Sequence, residues 1–136
     1  MIAIDTSAII AILSNEAERR SFNEIIEAAT HCYISAANLL EARIVLFARH
    51  GENGTIALDS FLLKSGIEVV EVTPNIGDIA FDAYRRYGKG RGHSAALNYG
   101  DCFSYALAAQ KDIPLLFKGN DFSETDILAA TSNSQS

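Results

Sequence analysis

The sequence predicts one three-layer α/β/α domain around a central, mostly parallel sheet, on three observations. Short apolar runs suited to strands alternate with amphipathic helical stretches along the chain. The segments between strands are long enough to hold a crossover helix, which parallel pairing requires. A length of 136 residues suits one domain and is too short for two ordinary ones. No repeat or linker interrupts the pattern, so the domain is expected over residues 1–130, with 131–136 (TSNSQS) as a polar C-terminal tail.

The elements follow in order. Ile2-Ala3-Ile4 is a short β-type run, and Asp5-Thr6-Ser7 are residues that leave a strand and cap the helix AIIAIL. From Glu16 to Ala29 an amphipathic helix sets Phe22, Ile25, Ile26 and Ala29 on one side. Cys32-Tyr33-Ile34 is a second strand, and Ser35 is placed to cap a helix over 37–49. Residues 51–54 read as a turn and 55–64 as a helix ended by Gly66, before the strand IEVVEV at 67–72. Thr73-Pro74 opens a helix to Tyr87, since proline is tolerated in a first turn. The stretch 88–100, GKGRGHSAALNYG, holds four glycines and reads as an ordered loop or lid. A helix over 101–111, a strand over 114–117 and a turn at Gly119-Asn120 complete the domain.

Composition excludes several classes. At 49% hydrophobic with two prolines, the chain is neither disordered nor collagen-like. No apolar run approaches the roughly 18 residues that cross a bilayer, so no membrane association is expected. Asp5 interrupts the apolar start and no basic leader precedes it, which predicts a cytoplasmic protein. Cys32 and Cys102 form no CxxC or Cys/His cluster, so neither a disulfide framework nor a zinc site is expected. The net charge of −6, from 17 acids and 11 bases, counts against binding nucleic acid by bulk electrostatics. It leaves open a protein that sets divalent cations against a few carboxylates.

Placement makes some acids informative. Ligands of parallel sheets bind beyond the carboxyl ends of the strands. Asp5 follows the first strand, and Asp121 lies four residues past Phe117, which closes the last one. Glu41 and Asp101 fall near the starts of helices that begin at the same edge. Glu41 sits on an apolar stripe with Ala37, Ile44, Val45 and Ala48, where only Asn38 is polar. Each acid also has an ordinary explanation: a stripe-edge Glu paired with Arg43, a helix-start Asp complementing the dipole, a turn acid at Asp5, Asp121 or Asp126. Convergence favours a joint role. Two carboxylates about 4 Å apart repel by about 4 kcal/mol at an effective dielectric of 20. Such a group needs protons or cations, and oxygen ligands without Cys or clustered His favour Mg²⁺ or Mn²⁺.

Four segments together, IAIDTSAIIAIL, NLLEARIVL, LNYGDCFSYALA and LLFKGNDFSETDI, resemble the PIN domain, and more closely the VapC-type ribonuclease toxins of toxin–antitoxin pairs. The resemblance runs from Met1 to about Ile127. It implies an α/β/α sandwich, RNA hydrolysis dependent on Mg²⁺ or Mn²⁺, a VapB-type antitoxin partner and symmetric dimers. Its acidic residues carry over onto Asp5, Glu41, Asp101 and Asp121. Some relatives have a further acid one helical turn into the third motif, where this chain has Ser104 and Tyr105, or an acid pair in the fourth, where Asn120 precedes Asp121.

The expected reaction is metal-assisted phosphodiester hydrolysis, with Asp5 and Asp101 as direct ligands and Glu41 and Asp121 completing the shell. Thr6 and Ser7 are candidates to orient a water or a phosphate oxygen. Arg85, Arg86, Lys89 and Arg91 form a basic run feeding into Asp101, read either as a guide for the RNA backbone or as a solvated loop. Tyr99 and Phe103 are candidate base-stacking aromatics, with core packing the stronger reading for Phe103. An RNA stem-loop, as in tRNA or rRNA, is the expected substrate class. The helix around Phe22 and Ile26, with that of Leu58 to Leu62, is the candidate antitoxin groove. A haloacid-type phosphatase needs a second Asp where Ser7 stands, and a receiver domain needs an acidic pair where Asp5 stands alone. The remaining alternative is a metal-free PIN-like module that binds RNA or protein without cutting.

Overall fold

A computed structural model describes residues 1–131. The elements run β1 (Ile2–Ile4), α1 (Thr6–Leu13), α2 (Arg19–Ala28), β2 (Cys32–Ser35), α3 (Ala36–His50), α4 (Glu52–Ser65), β3 (Glu68–Val70), α5 (Pro74–Tyr87), α6 (Tyr99–Lys111) and β4 (Leu115–Leu116). The four strands are parallel in the order β3-β2-β1-β4, with Ile2 opposite Cys32, Ala3 opposite Leu115 and Tyr33 opposite Glu68. Leu115 also bridges Ala129 in parallel, so the end of the domain returns along the outer side of β4.

The period-two alternation of β1 separates the two faces. Ile2 and Ile4 point into a core shared with α1 to α4, built from Ile9, Ile12, Phe22, Ile26, Ile34, Leu46 and Leu58 among others. Ala3 points the other way, into a core shared with α5 and α6 that includes Ile76, Leu97, Tyr105, Leu107 and Phe122. Helices therefore cover both faces, as the three-layer expectation requires. Phe22, Ile26 and Leu58 are buried here, so the candidate antitoxin groove is interior: the apolar sides of α2 and α4 are satisfied by the sheet and by α1 and α3.

Several boundaries differ from the sequence reading, each for a local reason. The turn expected at 51–54 shrinks to Gly51, whose φ of +61° suits glycine and lets α4 start at once. Helix α6 begins at Tyr99 rather than Asp101, because Asn98 accepts the Asp101 N–H and the Asp101 carboxylate accepts the Asn98 N–H in return. Helix α2 starts at Arg19, after a turn that takes up Glu16 to Glu18. Of the expected tail, Thr131 is exposed and irregular, and 132–136 lie outside the described residues. Both cysteines are free and buried. No described helix is long and apolar enough to cross a membrane.

Candidate active site

Chain reversal places the site. From β1 the chain crosses to β2 on one side, while β4 arrives on the other, so the ends of β1 and β4 lie side by side at the edge where ligands of such sheets bind. The Asp5 N–H is held by the Leu116 carbonyl at 2.9 Å, which fixes the end of β1 against the end of β4. Asp5 then caps α1: its Oδ2 accepts from the Ser7 N–H at 3.0 Å and from the Ser7 hydroxyl at 2.6 Å. Its Oδ1 accepts from the Ser104 hydroxyl, one turn past Asp101 on α6. Ser7 Oγ accepts in turn from the Lys118 N–H at 2.9 Å, tying Asp5 to the loop that carries Asp121.

Glu41 arrives from α3 and meets Thr6, whose hydroxyl donates to its Oε1 at 2.7 Å. Gly100 faces the same carboxylate. A Cβ there would stand 2.6 Å from Oε1 and 2.8 Å from Oε2, so any larger residue at this position would make the Glu41 carboxylate shift. Asp101, at the third position of α6, is buried.

The electrostatics bind the four acids into one group. Burial raises the Asp5 carboxyl above its ordinary value, against the hydrogen bonds from Ser104 and Ser7, and the Glu41 charge raises it further. Asp101 is pushed up to about 7, first by burial, with the Asn98 N–H opposing and Asp5 and Asp121 both adding to the rise. Asp121 contributes to this rise although it is itself exposed. Asp5 thus feels Glu41, and Asp101 feels both Asp5 and Asp121. Residues from four separate segments share one rim.

Among the described residues no three acids, thiols or imidazoles already close into a ready metal cage. Hydroxyls hold Asp5 and Glu41 instead: Ser7 and Ser104 on the first, Thr6 on the second. The chemistry of the donor set nevertheless fits a hard dication. The candidate donors are all carboxylate oxygens, and buried, mutually repelling carboxylates with raised proton affinity are what an added positive charge relieves.

The basic run divides. Lys89 and Arg91 are exposed, and the Arg85 guanidinium lies 5.8 Å from the centre of the Phe81 ring. Arg86 is committed elsewhere. It donates to the buried Tyr105 hydroxyl at 2.6 Å and pairs with Asp82 at 3.1 Å and Asp126 at 3.8 Å. The Tyr105 hydroxyl donates to Asp126 at 2.5 Å, so this cluster ties α5 and α6 to the segment after β4. Asp126, readable as a plain turn acid, is thus a structural anchor. Tyr99 is 80% exposed and stacks edge-on against the half-buried Phe103 at 5.0 Å.

Sequence reading missed Ser104 and undervalued Asn38. Ser104 was signalled by its place three residues after Asp101 on one helix, about where some relatives carry a further acid. Asn38 was visible as the sole polar neighbour on the Glu41 stripe.

The PIN domain family model matches residues 2–128. The VapC ribonuclease Mb0640 of Mycobacterium bovis is 49% identical over 124 residues, covering 91% of this chain and 94% of its own. A ribonuclease VapC of Mycolicibacterium smegmatis is 47% identical over 126 residues, covering 93% and 97%. Among solved structures, VapC20 of Mycobacterium tuberculosis, described as a sarcin-ricin loop cleaving toxin, superposes with a TM-score of 0.79 at 20% identity, over 96% of this chain and 99% of that one. VapBC2 of Rickettsia felis, bound to a promoter DNA fragment, superposes with a TM-score of 0.71 at 17% identity, over 95% and 96%.

Proposed function

The chain belongs to the PIN-domain family, and on that premise we propose that it is a metal-dependent endoribonuclease, the toxin of a VapBC-type toxin–antitoxin pair. The observation that carries this is the meeting of Asp5, Glu41, Asp101 and Asp121 at the carboxyl edge of the sheet, with burial and mutual repulsion raising Asp5 and Asp101. Relatives at close to half identity are named VapC ribonucleases, and complexes of toxin with antitoxin share the fold. PIN-domain ribonucleases generally depend on a divalent metal. The oxygen-only donor set supports Mg²⁺ or Mn²⁺ here.

Asp5 and Asp101 would hold the ion, with Glu41 and Asp121 completing its surroundings. When bound, a dication of this kind lowers the pKa of water and stabilises charge at phosphorus. This chain's own residues prepare that chemistry. Ser7 and Ser104 aim both oxygens of Asp5, and Thr6 aims Glu41. With their hydroxyls on carboxylates, Thr6 and Ser7 serve the acids first, and an orienting role toward water or phosphate depends on exchange of those bonds. Lys89, Arg91 and Arg85 are the candidate contacts to the RNA backbone, with an unpaired loop of a structured RNA as the substrate class. A VapB-type antitoxin is the partner, and a homodimer is the proposed assembly.

The test is cleavage mapping on total RNA by wild type and Asp5→Asn, with and without Mg²⁺ or Mn²⁺. Discrete cuts that need both the metal and Asp5 support the reading. Cleavage indifferent to either overturns it, and metal-independent RNA binding without cleavage supports the non-catalytic module.

A further inference from the structure

We propose that Asn38 is a positioning residue for this site, acting through Thr6 to set the Glu41 carboxylate. The inference rests on the nuclease reading above and adds a residue to it.

Asn38 lies on the first turn of α3, three residues before Glu41, and is fully buried. Its amide nitrogen donates to Thr6 Oγ1 at 3.2 Å and to the Gly100 carbonyl at 3.0 Å. The Gly100 carbonyl can only accept, so the nitrogen rather than the oxygen of the amide must face it. One side chain thus grips the neighbour of Asp5 on α1 and the neighbour of Asp101 on α6, from the helix that carries Glu41. The same three elements also converge on the Glu41 carboxylate, so Asn38 holds together the frame in which that carboxylate sits.

The grip has a directional consequence. Thr6 has one hydroxyl proton and two acceptors in range, Glu41 Oε1 at 2.7 Å and the backbone carbonyl of Asn38 at 3.1 Å. An amide N–H donated into the Thr6 oxygen occupies a lone pair and leaves the proton for an acceptor, and the shorter contact is Glu41. The chain Asn38 to Thr6 to Glu41 is therefore polarised toward the carboxylate. Gly100, held by the same amide, closes the other side, where a Cβ would collide with both Glu41 oxygens. Glu41 thus accepts from a hydroxyl that Asn38 holds and lies beside a backbone that Asn38 also holds.

A packing role does not account for this residue. The Asn38 Oδ1 is buried and has no hydrogen-bond partner among the described residues, a cost that an apolar side chain with the same branching, such as leucine, would avoid. The amide is useful for its two donated bonds, and both end at the site. Partners that orient metal-binding side chains typically change metal affinity by 10–100-fold when removed.

The experiment titrates Mn²⁺ alone into the full chain, reading free Mn²⁺ by its electron paramagnetic resonance signal, beside the Mn²⁺ dependence of RNA cleavage. Asn38→Leu and Asn38→Ala are expected to raise the Mn²⁺ dissociation constant about tenfold or more. Thr6→Val should do the same and Thr6→Ser should restore near wild-type affinity, because the hydroxyl and not the shape carries the effect. On a Glu41→Gln background, Asn38→Leu should add nothing further. Wild-type Mn²⁺ affinity in Asn38→Leu, or an undiminished additional loss on Glu41→Gln, overturns the proposal while leaving the nuclease reading intact. If the Asn38 variants do not fold, the Thr6 pair decides: equal affinity in Thr6→Val and Thr6→Ser overturns it. A wild type that neither binds Mn²⁺ nor cuts RNA overturns the nuclease reading and this inference with it.

Discussion

The acidic rim and the basic run 85–91 are both charged, yet they are built in opposite ways. Asp5 and Asp101 are buried, their oxygens fixed by Ser7, Ser104 and the Asn98 N–H, and among the described residues no Lys, Arg or His forms an ion pair with them. Lys89 and Arg91 stand in solvent, while Arg86 is neutralised by Asp82 and Asp126. Acidic groups crowded together in a buried place are costly and mark a candidate functional site. Charge in solvent costs little and points to nothing by itself. The rim is therefore where function is to be tested most severely, and the basic run where it is tested by salt.

The largest effect expected is at the rim. Asp5→Asn and Asp101→Asn should each lower RNA cleavage by more than about 100-fold, beyond the 10–100-fold typical for losing only an orienting partner. Circular dichroism should show the fold retained. Full activity in either variant breaks the contrast at once.

Stability offers the next test. Asp101 sits at about 7 in the fold against an ordinary 3.8, so between those values the native state binds more protons than the unfolded chain. Metal-free protein should therefore lose stability as pH rises from about 4 to about 7. Asp101→Asn should melt higher than wild type at pH 8 without dication, by of order 1 kcal/mol or more, and added Mn²⁺ should narrow the difference. A metal-free wild type whose stability rises across that window would show the rim already neutralised. Arg86→Ala should show the reverse profile, losing about 1 kcal/mol in urea unfolding through Tyr105 and Asp126, with RNA affinity nearly unchanged.

How much of this was legible beforehand follows from the range of each interaction. The alternation of β1 and the caps at Asp5, Ser35 and Thr73 are local, and the sequence displays them. The convergence of Asp5, Glu41, Asp101 and Asp121 was readable because strand ends and helix starts share one edge of a parallel sheet. Ser104 on Asp5 spans 99 residues and obeys no periodicity, so no local rule points to it. It stands where some PIN relatives have an additional acid, and here a neutral hydroxyl donates to Asp5 instead. Arg86 misled for the mirror reason: in sequence it belongs to a basic run, and only the fold brings Tyr105 and Asp126 to it. The groove placed at Phe22, Ile26 and Leu58 failed because an amphipathic stripe looks the same whether a partner or the chain's own sheet covers it.

The smallest effect expected is also the one that separates the cations from each other. Neutralising a contact to single-stranded nucleic acid reduces the slope of log affinity against log salt by about 0.7 per charge. Replacing Arg85, Lys89 and Arg91 together with Gln should therefore lower the slope by about 2 if all three meet phosphates. Adding Arg86→Gln should change the slope little, since that guanidinium already serves Tyr105, Asp82 and Asp126. Filter binding of an uncleaved RNA to the Asp5→Asn protein, at several salt concentrations, reads both numbers without interference from cutting. An unchanged slope in the triple variant assigns the run to solvent. A further drop of similar size on adding Arg86→Gln would mean that RNA outcompetes Asp126 for the guanidinium, and the clamp on α6 would then open on substrate binding.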